Sequence, residues 1–280
     1  MKYPPRRFLL EGEGIRAKAG LLAGVVCVSL IMLLGAGAIA QERAIAPAQA
    51  KSGSAFVSDD IRAMQSDDLA NPGMLWVTRG EKLWSEPRGK SARSCASCHK
   101  DARGSMQGIA TRYPVYDRNA GRLLSLEGRI NNCLATHQGA EALRYESDDL
   151  LAFTAYIGYQ SHGMPVKVSI DGDARKHFDA GRELYYKRVG QMNLACANCH
   201  EANWGKRLFA ETISQGQSNA FPLYRLEWQT LGSLHRRLRA CFNGVRAEPY
   251  PAGSQEFLDL ELFLAWRAQG LPIETPAVRR

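Results

Sequence analysis

The sequence predicts an all-α fold built from two tandem copies of one architecture. Apolar residues recur at helical spacing in several segments, alternating patterns typical of β-strands are few, and the same motifs appear in the same order in both halves. The chain has 280 residues, of which 45% are hydrophobic, so it is long enough for two small domains that each bury a core.

The N-terminal region has the features of an export signal. Basic residues precede an uncharged apolar run over 21–40 that ends in Ala38-Ile39-Ala40, the small-residue pattern of a cleavage site. We predict a removed signal peptide over residues 1–40 and export to the periplasm. A retained membrane anchor is the alternative, because the run is about long enough to span a bilayer. Residues 41–55, rich in Ala, Ser, Gly and Gln, are expected to form a flexible lead-in.

The first copy is predicted over residues 56–167. Its first helix has apolar residues at helical spacing from Met74 to Trp84, after a start signal at Asn71-Pro72. Its last helix is predicted from Ser147 to Tyr159, where a serine and two aspartates favour a helix N-terminus.

The second copy is predicted over residues 172–280. The linker is placed in the short, turn-rich segment between Gly163-Met-Pro165 and Asp173. A helix predicted from Asp173 to about Arg188 corresponds to the first helix of the first copy. An apolar helix predicted from Ser254 to Arg267 corresponds to the last.

Three motifs recur in the same order in the two copies. They are a Cys-x-x-Cys-His motif, an aromatic-Pro-aliphatic-Tyr motif, and an arginine four residues before a lone cysteine. In the first copy they are Cys95-Ala-Ser-Cys98-His99, Tyr113-Pro-Val-Tyr116 and Arg129 to Cys133. In the second they are Cys196-Ala-Asn-Cys199-His200, Phe221-Pro-Leu-Tyr224 and Arg237 to Cys241. Offsets of 101 to 108 residues between the copies indicate a duplication.

The Cys-x-x-Cys-His motif is the attachment signature of haem c. Its two thiols reach the two vinyl groups on one edge of the porphyrin, and the histidine that follows becomes the proximal iron ligand. We therefore predict two tandem duplicated cytochrome c-like domains, loop-rich around two covalently bound haem c groups, held by Cys95, Cys98, His99, Cys196, Cys199 and His200. A zinc or thioredoxin-like motif is the alternative, which two such motifs in a duplicated, exported chain disfavour.

A six-coordinate haem needs a second axial ligand, for which proteins use Met, His or a Cys thiolate. Cys133 and Cys241 are spare thiols at equivalent positions, so they are the candidates. Met164 is the rival for the first haem, but its counterpart Leu271 cannot bind iron. A disulfide between the two lone cysteines also stays open in an exported chain. Four histidines lack an equivalent in the other copy and are expected in core or surface roles: His137, His162, His177 and His235.

Positive charge is concentrated before the second lone cysteine. Three arginines precede Cys241 within five residues, and Arg237 shares its helical face. Such a field lowers the pKa of a thiol and binds anions, whereas a solvated basic helix face is the alternative. The formal charge of +8 falls to +5 without the predicted signal, and the remaining arginines are scattered. We therefore predict no binding of nucleic acid.

Together, these residues resemble the SoxA family of the SoxAX cytochromes of bacterial sulfur oxidation, in its dihaem form. The resemblance covers essentially the whole predicted mature chain: both Cys-x-x-Cys-His motifs, both lone cysteines, the Arg237 to Cys241 segment and the Gly163-Met-Pro165 turn. It implies that His99 and Cys133 are the axial ligands of haem 1, and that His200 and Cys241 are those of haem 2. It also implies that Cys241 carries a persulfide and that Arg237 binds the substrate.

The resemblance also implies an activity, that of an L-cysteine S-thiosulfotransferase. Such an enzyme joins thiosulfate to a cysteine of the carrier protein SoxYZ while two electrons leave through haem, and it works in the periplasm with the small cytochrome SoxX. Two alternatives stay open. One is a dihaem thiosulfate dehydrogenase that forms tetrathionate without a carrier, and the other is a passive dihaem electron-transfer cytochrome.

Overall fold

The computed structural model of the chain describes residues 49–280. The predicted signal peptide, residues 1–40, and residues 41–48 of the predicted lead-in lie outside the described residues. The described part belongs to one compact unit. Within residues 49–280, no helix has the length and apolar character needed to cross a membrane.

The first half, residues 56–167, contains six α-helices and one hairpin of two short strands. In chain order the elements are α1 (Asp59–Ser66), α2 (Met74–Ser85), α3 (Cys95–His99), α4 (Ala102–Ser105), β1 (Val115–Asp117), β2 (Arg122–Leu124), α5 (Leu126–Cys133) and α6 (Asp148–Tyr159). Strands β1 and β2 pair in antiparallel fashion. A π-helical turn, Leu134–Gln138, continues α5, and short 3₁₀ turns lie at Gly53–Phe56 and Ala110–Arg112.

The second half, residues 172–280, repeats this order of elements with additions. Its elements are α7 (Ala174–Tyr186), α8 (Cys196–His200), β3 (Arg207–Leu208), β4 (Glu211–Thr212), β5 (Leu223–Arg225), β6 (Thr230–Gly232), α9 (Leu234–Gly244), α10 (Gln255–Arg267) and β7 (Ala277–Arg279). Strand β5 pairs antiparallel with β6 and parallel with β7, while β3 and β4 form a separate hairpin.

The predicted helices form close to their predicted limits. Helices α2, α6, α7 and α10 are the four predicted from apolar spacing, and the fold is helix-rich as predicted. Ser147 and Ser254 are the N-caps of α6 and α10, where their side chains accept hydrogen bonds from Leu150 N and Phe257 N. The short strands were not predicted, because two or three residues are too few to display an alternating pattern.

Each half is built around one close pair of helices. Helix α2 packs on α6, and α7 packs on α10. A glycine lies at the same point of each crossing: a Cβ on Gly80 would lie 2.2 Å from Ala152 O, and a Cβ on Gly181 would lie 2.0 Å from Asp259 O. No larger residue fits at this separation, so the two glycines set how closely the helices approach.

The buried apolar residues form two main clusters, each centred on one helix pair. The first core includes Leu83, Phe153 and Ile157, and the second core includes Phe178, Phe257 and Phe263. Each core also takes one fully buried leucine from a hairpin of the other half, since Leu123 of β2 joins the second core and Leu231 of β6 joins the first. The halves therefore share their apolar interiors.

The predicted linker between the halves has no regular secondary structure, and its backbone and side chains are packed against the second half. Val166 and Val168 are buried in the second core. Val166 N donates to Leu271 O over 2.9 Å, and Gly270 N donates to Val166 O over 3.0 Å. The linker is therefore part of the packing between the halves.

The described end of the predicted lead-in is bound to the second half. Lys51 N donates to Gln215 Oε1 over 2.7 Å, and Ser54 Oγ donates to Glu274 Oε1 over 2.6 Å. Composition predicts a flexible lead-in over residues 41–55. Within it, residues 51–54 have hydrogen-bond partners in buried side chains of the second half, which composition does not reveal.

Candidate haem sites

The first Cys-x-x-Cys-His motif forms the short helix α3. Ser94 begins it with a capping box, in which Ser97 N donates to Ser94 Oγ over 3.1 Å and Ser94 N donates to Ser97 Oγ over 3.0 Å. The capped turn places Cys95 and Cys98 three residues apart on one helical face. His99 is exposed and its ring centroid lies 5.9 Å from that of Trp84.

Cys133, at the end of α5, lies beside the two thiols of α3. Burial raises the pKa of Cys133, nearby Arg129 opposes this rise, and Cys98 adds to it. Burial also raises the pKa of Cys95, where Gln138 Nε2 lies 3.8 Å from the sulfur and Cys133 is among the neighbours. The structure thus brings together a first cysteine cluster of Cys95, Cys98 and Cys133.

The second motif forms α8 and is capped differently. Ala195 N donates to Asn198 Oδ1 over 2.8 Å, which fixes the start of the helix without a serine N-cap. Burial raises the pKa of Cys196 to about 12, with Cys241 as the next contributor. Burial and Cys241 likewise raise the pKa of Cys199. Cys196, Cys199 and Cys241 therefore form a second cysteine cluster, equivalent to the first.

His200 is held more tightly than His99. Its Nδ1 lies 2.8 Å from Ser214 O, and Gly216, with φ of 70°, packs against the ring. A Cβ on Gly216 would lie 2.8 Å from His200 Cγ, so only glycine fits. Burial lowers the pKa of His200 to about 4, and Arg237 and Arg267 add to this effect. The imidazole is therefore neutral at pH 7, and with Nδ1–H donating to the carbonyl, Nε2 is free to bind a metal.

The three arginines before Cys241 are not equivalent. Arg236 stacks on Trp228, with its guanidinium carbon 4.3 Å from the ring centroid, and Arg239 is exposed. Arg237 is half-buried, and its charge lowers the pKa of His200. The crowding of three guanidinium groups expected from the sequence therefore reduces to Arg237, because consecutive helical residues point in different directions.

Ligation by Met164 and a disulfide between Cys133 and Cys241 are the alternatives to cysteine ligation. Met164 is half-buried in a turn against Gly108, where a Cβ would lie 3.2 Å from Met164 Cε. The six cysteines of the described region form no disulfide, and Cys133 and Cys241 belong to separate clusters.

The four histidines without an equivalent have other contacts or positions. His162 Nδ1 lies 3.1 Å from Thr275 O and His177 Nδ1 lies 2.8 Å from Asp259 Oδ1. His235 Nε2 lies 3.0 Å from Glu261 Oε2 in the interior, and His137 is exposed in the π-helical turn. These positions agree with the core and surface roles expected of them.

The side chains at both clusters fit covalent haem c. Each cluster offers two thiols on one short helix, a histidine directly after them, and a third thiol from a separate helix. This donor set would hold a haem c through two thioether bonds, with a histidine and a cysteine available to the iron. At the second cluster, Gly216 lets the chain approach the His200 ring closely, and the hydrogen bond of Nδ1 to Ser214 O leaves Nε2 as the free nitrogen.

Sequence reasoning missed a group of polar residues behind the second cluster. Arg267 of α10 has a fully buried side chain, and its Nη2 lies 3.4 Å from Glu201 Oε1. Its Nη1 donates to Tyr185 Oη and, over 3.3 Å, to Gln215 O. The available signal was an arginine within the apolar stretch of residues 262–268, a pattern that marks a buried charge with a partner.

Comparison with known proteins decides the family. A family model described as SoxA/TsdA, cytochrome c domain, matches residues 79–166. The L-cysteine S-thiosulfotransferase subunit SoxA of Pseudaminobacter salicylatoxidans is 44% identical over 230 residues, which cover 82% of this chain and 80% of that relative. The chain belongs to the SoxA family. The subunit of the same name from Rhodovulum sulfidophilum is 41% identical, with the same two coverages.

One solved structure agrees with this SoxA assignment. The crystal structure of SoxXA from P. pantotrophus matches with a TM-score of 0.80 and 39% identity, over 82% of this chain and 87% of the matched chain. The family prediction is thereby confirmed, and the cytochrome c domain implies covalently bound haem c.

Proposed function

We propose that this SoxA-family chain is an L-cysteine S-thiosulfotransferase that conjugates thiosulfate to a cysteine of the carrier protein SoxYZ. The curated relatives that cover most of the chain bear that enzyme name. One observation carries the assignment to a site: Cys241 lies near the second pair of motif cysteines, and Arg237, four residues before it on α9, lies near His200. The first cluster has Arg129 at the equivalent position, but Asp117 binds that guanidinium.

We further propose two haem c groups in tandem duplicated cytochrome domains. Cys95, Cys98, His99 and Cys133 would hold the first, and Cys196, Cys199, His200 and Cys241 the second. When bound, haem supplies an acceptor for single electrons. The repeated order of elements and the equivalent clusters support this assignment.

Cys241 is the proposed catalytic sulfur, in the form of a persulfide. The persulfide sulfur and the outer sulfur of thiosulfate form an S–S bond, and this oxidation releases two electrons. The thiolate of the carrier cysteine then attacks the outer thiosulfate sulfur, breaks the new bond, and regenerates the Cys241 persulfide. The carrier leaves with a cysteine S-thiosulfonate, so sulfur atoms, electrons and charge balance over the cycle.

Arg237 is the proposed binding group for the substrate. A guanidinium can donate two parallel hydrogen bonds to two oxygens of one anionic group. The sulfonate end of thiosulfate offers such oxygens. Arg236 is held on Trp228, and Arg239 points to solvent, so neither competes for this role.

The proposal includes the partner and the compartment. The similarity to the SoxA chain of a SoxXA complex supports a heterodimer with a SoxX-type small cytochrome c. The N-terminal pattern of a basic segment, an apolar run and Ala38-Ile39-Ala40 supports export to the periplasm.

The decisive experiment is a turnover assay of the purified holo-complex with thiosulfate and an electron acceptor, with and without SoxYZ. We expect mass spectrometry to find a thiosulfonate adduct on the carrier cysteine, and we expect Cys241→Ser to abolish it. Rapid formation of tetrathionate without the carrier would instead identify a thiosulfate dehydrogenase. Neither product, with reversible reduction alone, would identify a passive electron carrier.

A further inference from the structure

The second cluster has a buried ion pair behind its histidine. Glu201 directly follows His200, and its carboxylate lies 3.4 Å from Nη2 of Arg267, whose side chain is fully buried. The Arg267 guanidinium also stacks on Tyr185, 4.5 Å from the ring centroid, and donates to the hydroxyl of that residue. Tyr186 Oη donates to the same carboxylate over 3.0 Å. These four side chains connect α7 and α10 to the residue that follows α8.

The first cluster has no such pair at the equivalent positions. Trp84 stands where the second half has Tyr185, Lys100 where it has Glu201, and Gln160 where it has Arg267. Trp84 Nε1 donates to Lys100 O over 2.8 Å, and Gln160 Nε2 donates to the carbonyl of its own helix at Tyr156 over 2.9 Å. The first half therefore uses a neutral indole where the second uses a buried salt bridge.

The ion pair is connected to His200 through one loop. Arg267 Nη1 donates to Gln215 O over 3.3 Å. The preceding residue is Ser214, whose carbonyl oxygen is the partner of His200 Nδ1 at 2.8 Å, and the following residue is Gly216, which packs on the imidazole. Arg267 thus donates a hydrogen bond to the backbone of the loop from Ser214 to Gly216. The two ends of this loop contact the His200 ring.

The free-energy cost of burying Arg267 and Glu201 indicates that this ion pair does more than stabilise the fold. Burial of a guanidinium and a carboxylate costs several kcal/mol per ion before their attraction is counted, and well-packed apolar residues often do as well or better. The neutral solution of the first half shows that the fold does not require the charges. What the charges add is a directed hydrogen bond to a loop carbonyl that an apolar side chain cannot provide.

We infer that Arg267, paired with Glu201 and Tyr185, is a positioning residue for His200 as the proximal ligand of the second haem. It fixes the Ser214 to Gly216 loop, which keeps the hydrogen bond from His200 Nδ1–H intact and so holds the imidazole in one orientation. The inference rests on the proposed function in one respect, namely that His200 binds haem iron.

The test uses the holo-complex with its partner subunit and three variants. Arg267→Gln introduces the residue of the first half, Arg267→Lys keeps a buried donor and charge, and Gln160→Ala is the matched control at the equivalent first-half position. Redox titration and low-temperature EPR are recorded for every haem. We expect Arg267→Gln to shift the low-spin EPR signal of the second haem and to change its midpoint potential, because the loop no longer holds the imidazole in one orientation. Arg267→Lys should restore most of both readouts.

Three outcomes would overturn the inference: unchanged potential and EPR signal in Arg267→Gln, an equal change in all haems, or no rescue by lysine. If Arg267→Gln does not fold, Tyr185→Phe removes a single hydroxyl and should shift the EPR signal of the same haem by a smaller amount; no shift there also overturns the inference. His200→Ala separates the two proposals. If this variant keeps the parental spectrum of the second haem, the proposed ligation fails irrespective of Arg267.

Discussion

Leu123 and Leu231 occupy equivalent positions 108 residues apart, and each lies fully buried in the core of the opposite half. Tyr116 and Tyr224, at equivalent positions on the partner strands β1 and β5, show the same exchange, packing on the second and first core respectively. Each hairpin therefore completes the interior of the other half. This reciprocal contact explains why two similar halves form one compact unit.

Replacement of Leu231 tests the exchange. We expect Leu231→Ala to lower the free energy of unfolding by about 2–5 kcal/mol, because it leaves a cavity in a packed core. Denaturant unfolding of the holoprotein measures this loss, with Leu226→Ala as a control, since Leu226 is exposed and close by in sequence. A loss of similar size in the control, or none in Leu231→Ala, would contradict the shared core.

The helix crossing at Gly181 predicts intolerance of a single methyl group. A Cβ at this position would lie 2.0 Å from Asp259 O, so Gly181→Ala must push α7 and α10 apart. We expect a loss of about 1–3 kcal/mol or more, the range for overpacked interiors. Gly104→Ala in α4 is the control, because nothing lies within 4 Å of its Cβ position. Equal unfolding midpoints for the two variants would refute the steric role of Gly181.

The contribution of Glu127 and His235 to stability should fall as pH rises from about 5 to 8. Burial, with Glu261 nearby, raises the pKa of Glu127 from 4.5 to about 7. Burial alone would lower the pKa of His235, but its pairing with Glu261 outweighs this, so the net pKa of His235 is raised. Both groups bind their proton more tightly in the folded state. Their contribution is therefore complete below the unfolded pKa values and is lost as pH rises through the folded ones.

Urea unfolding at a series of pH values measures this dependence. Glu127→Gln should flatten the profile between pH 5 and 8, because the amide does not titrate. Glu81→Gln, at an exposed position, is the control and should keep the parental slope. An unchanged profile in Glu127→Gln would show that the dependence arises elsewhere.

Arg237 and Arg239 lie on the same helix, so substitution of each gives a matched test of the role of Arg237 in substrate binding. Loss of a charged hydrogen-bond donor costs about 1.5–3 kcal/mol, so Arg237→Ala should lower kcat/KM for thiosulfate by roughly 10- to 100-fold. Arg239→Ala should stay close to the parent, because that side chain is exposed on the same helix. Steady-state assays with SoxYZ measure kcat/KM for both variants. Equal losses would show that positive charge in general, and not a hydrogen bond from Arg237, promotes thiosulfate binding.

The ligand of the first haem can be tested by substitution of the two rivals. Cys133 lies beside the motif cysteines, whereas Met164 packs against Gly108. We expect Cys133→Ala to remove the low-spin His/thiolate EPR signal of the first haem. Met164→Leu, which introduces the residue found at position 271, should leave this signal unchanged. A signal that survives Cys133→Ala and disappears in Met164→Leu would reverse the assignment.

Many features of this protein can be predicted from the sequence because they depend on residues that are close together in the chain. The thiols of the Cys-x-x-Cys-His motifs lie within one helical turn, the serine caps of α6 and α10 act over three residues, and the predicted duplication rests on repeated spacing. These features do not depend on how distant parts of the chain meet. The short strands β1 and β5 were missed, although the aromatic-Pro motifs that lead into them were found, because their pairing is made by residues elsewhere in the chain.

The sequence by itself determined the helix-rich plan, the family and the residues of the two cysteine clusters. Only the tertiary structure decided the exchange of Leu123 and Leu231, the separate directions of Arg236 and Arg237, and the ion pair between Glu201 and Arg267 behind His200. Burial and pairing of a side chain depend on what packs against it from other segments. A one-dimensional pattern does not contain that information, and the fold supplies it.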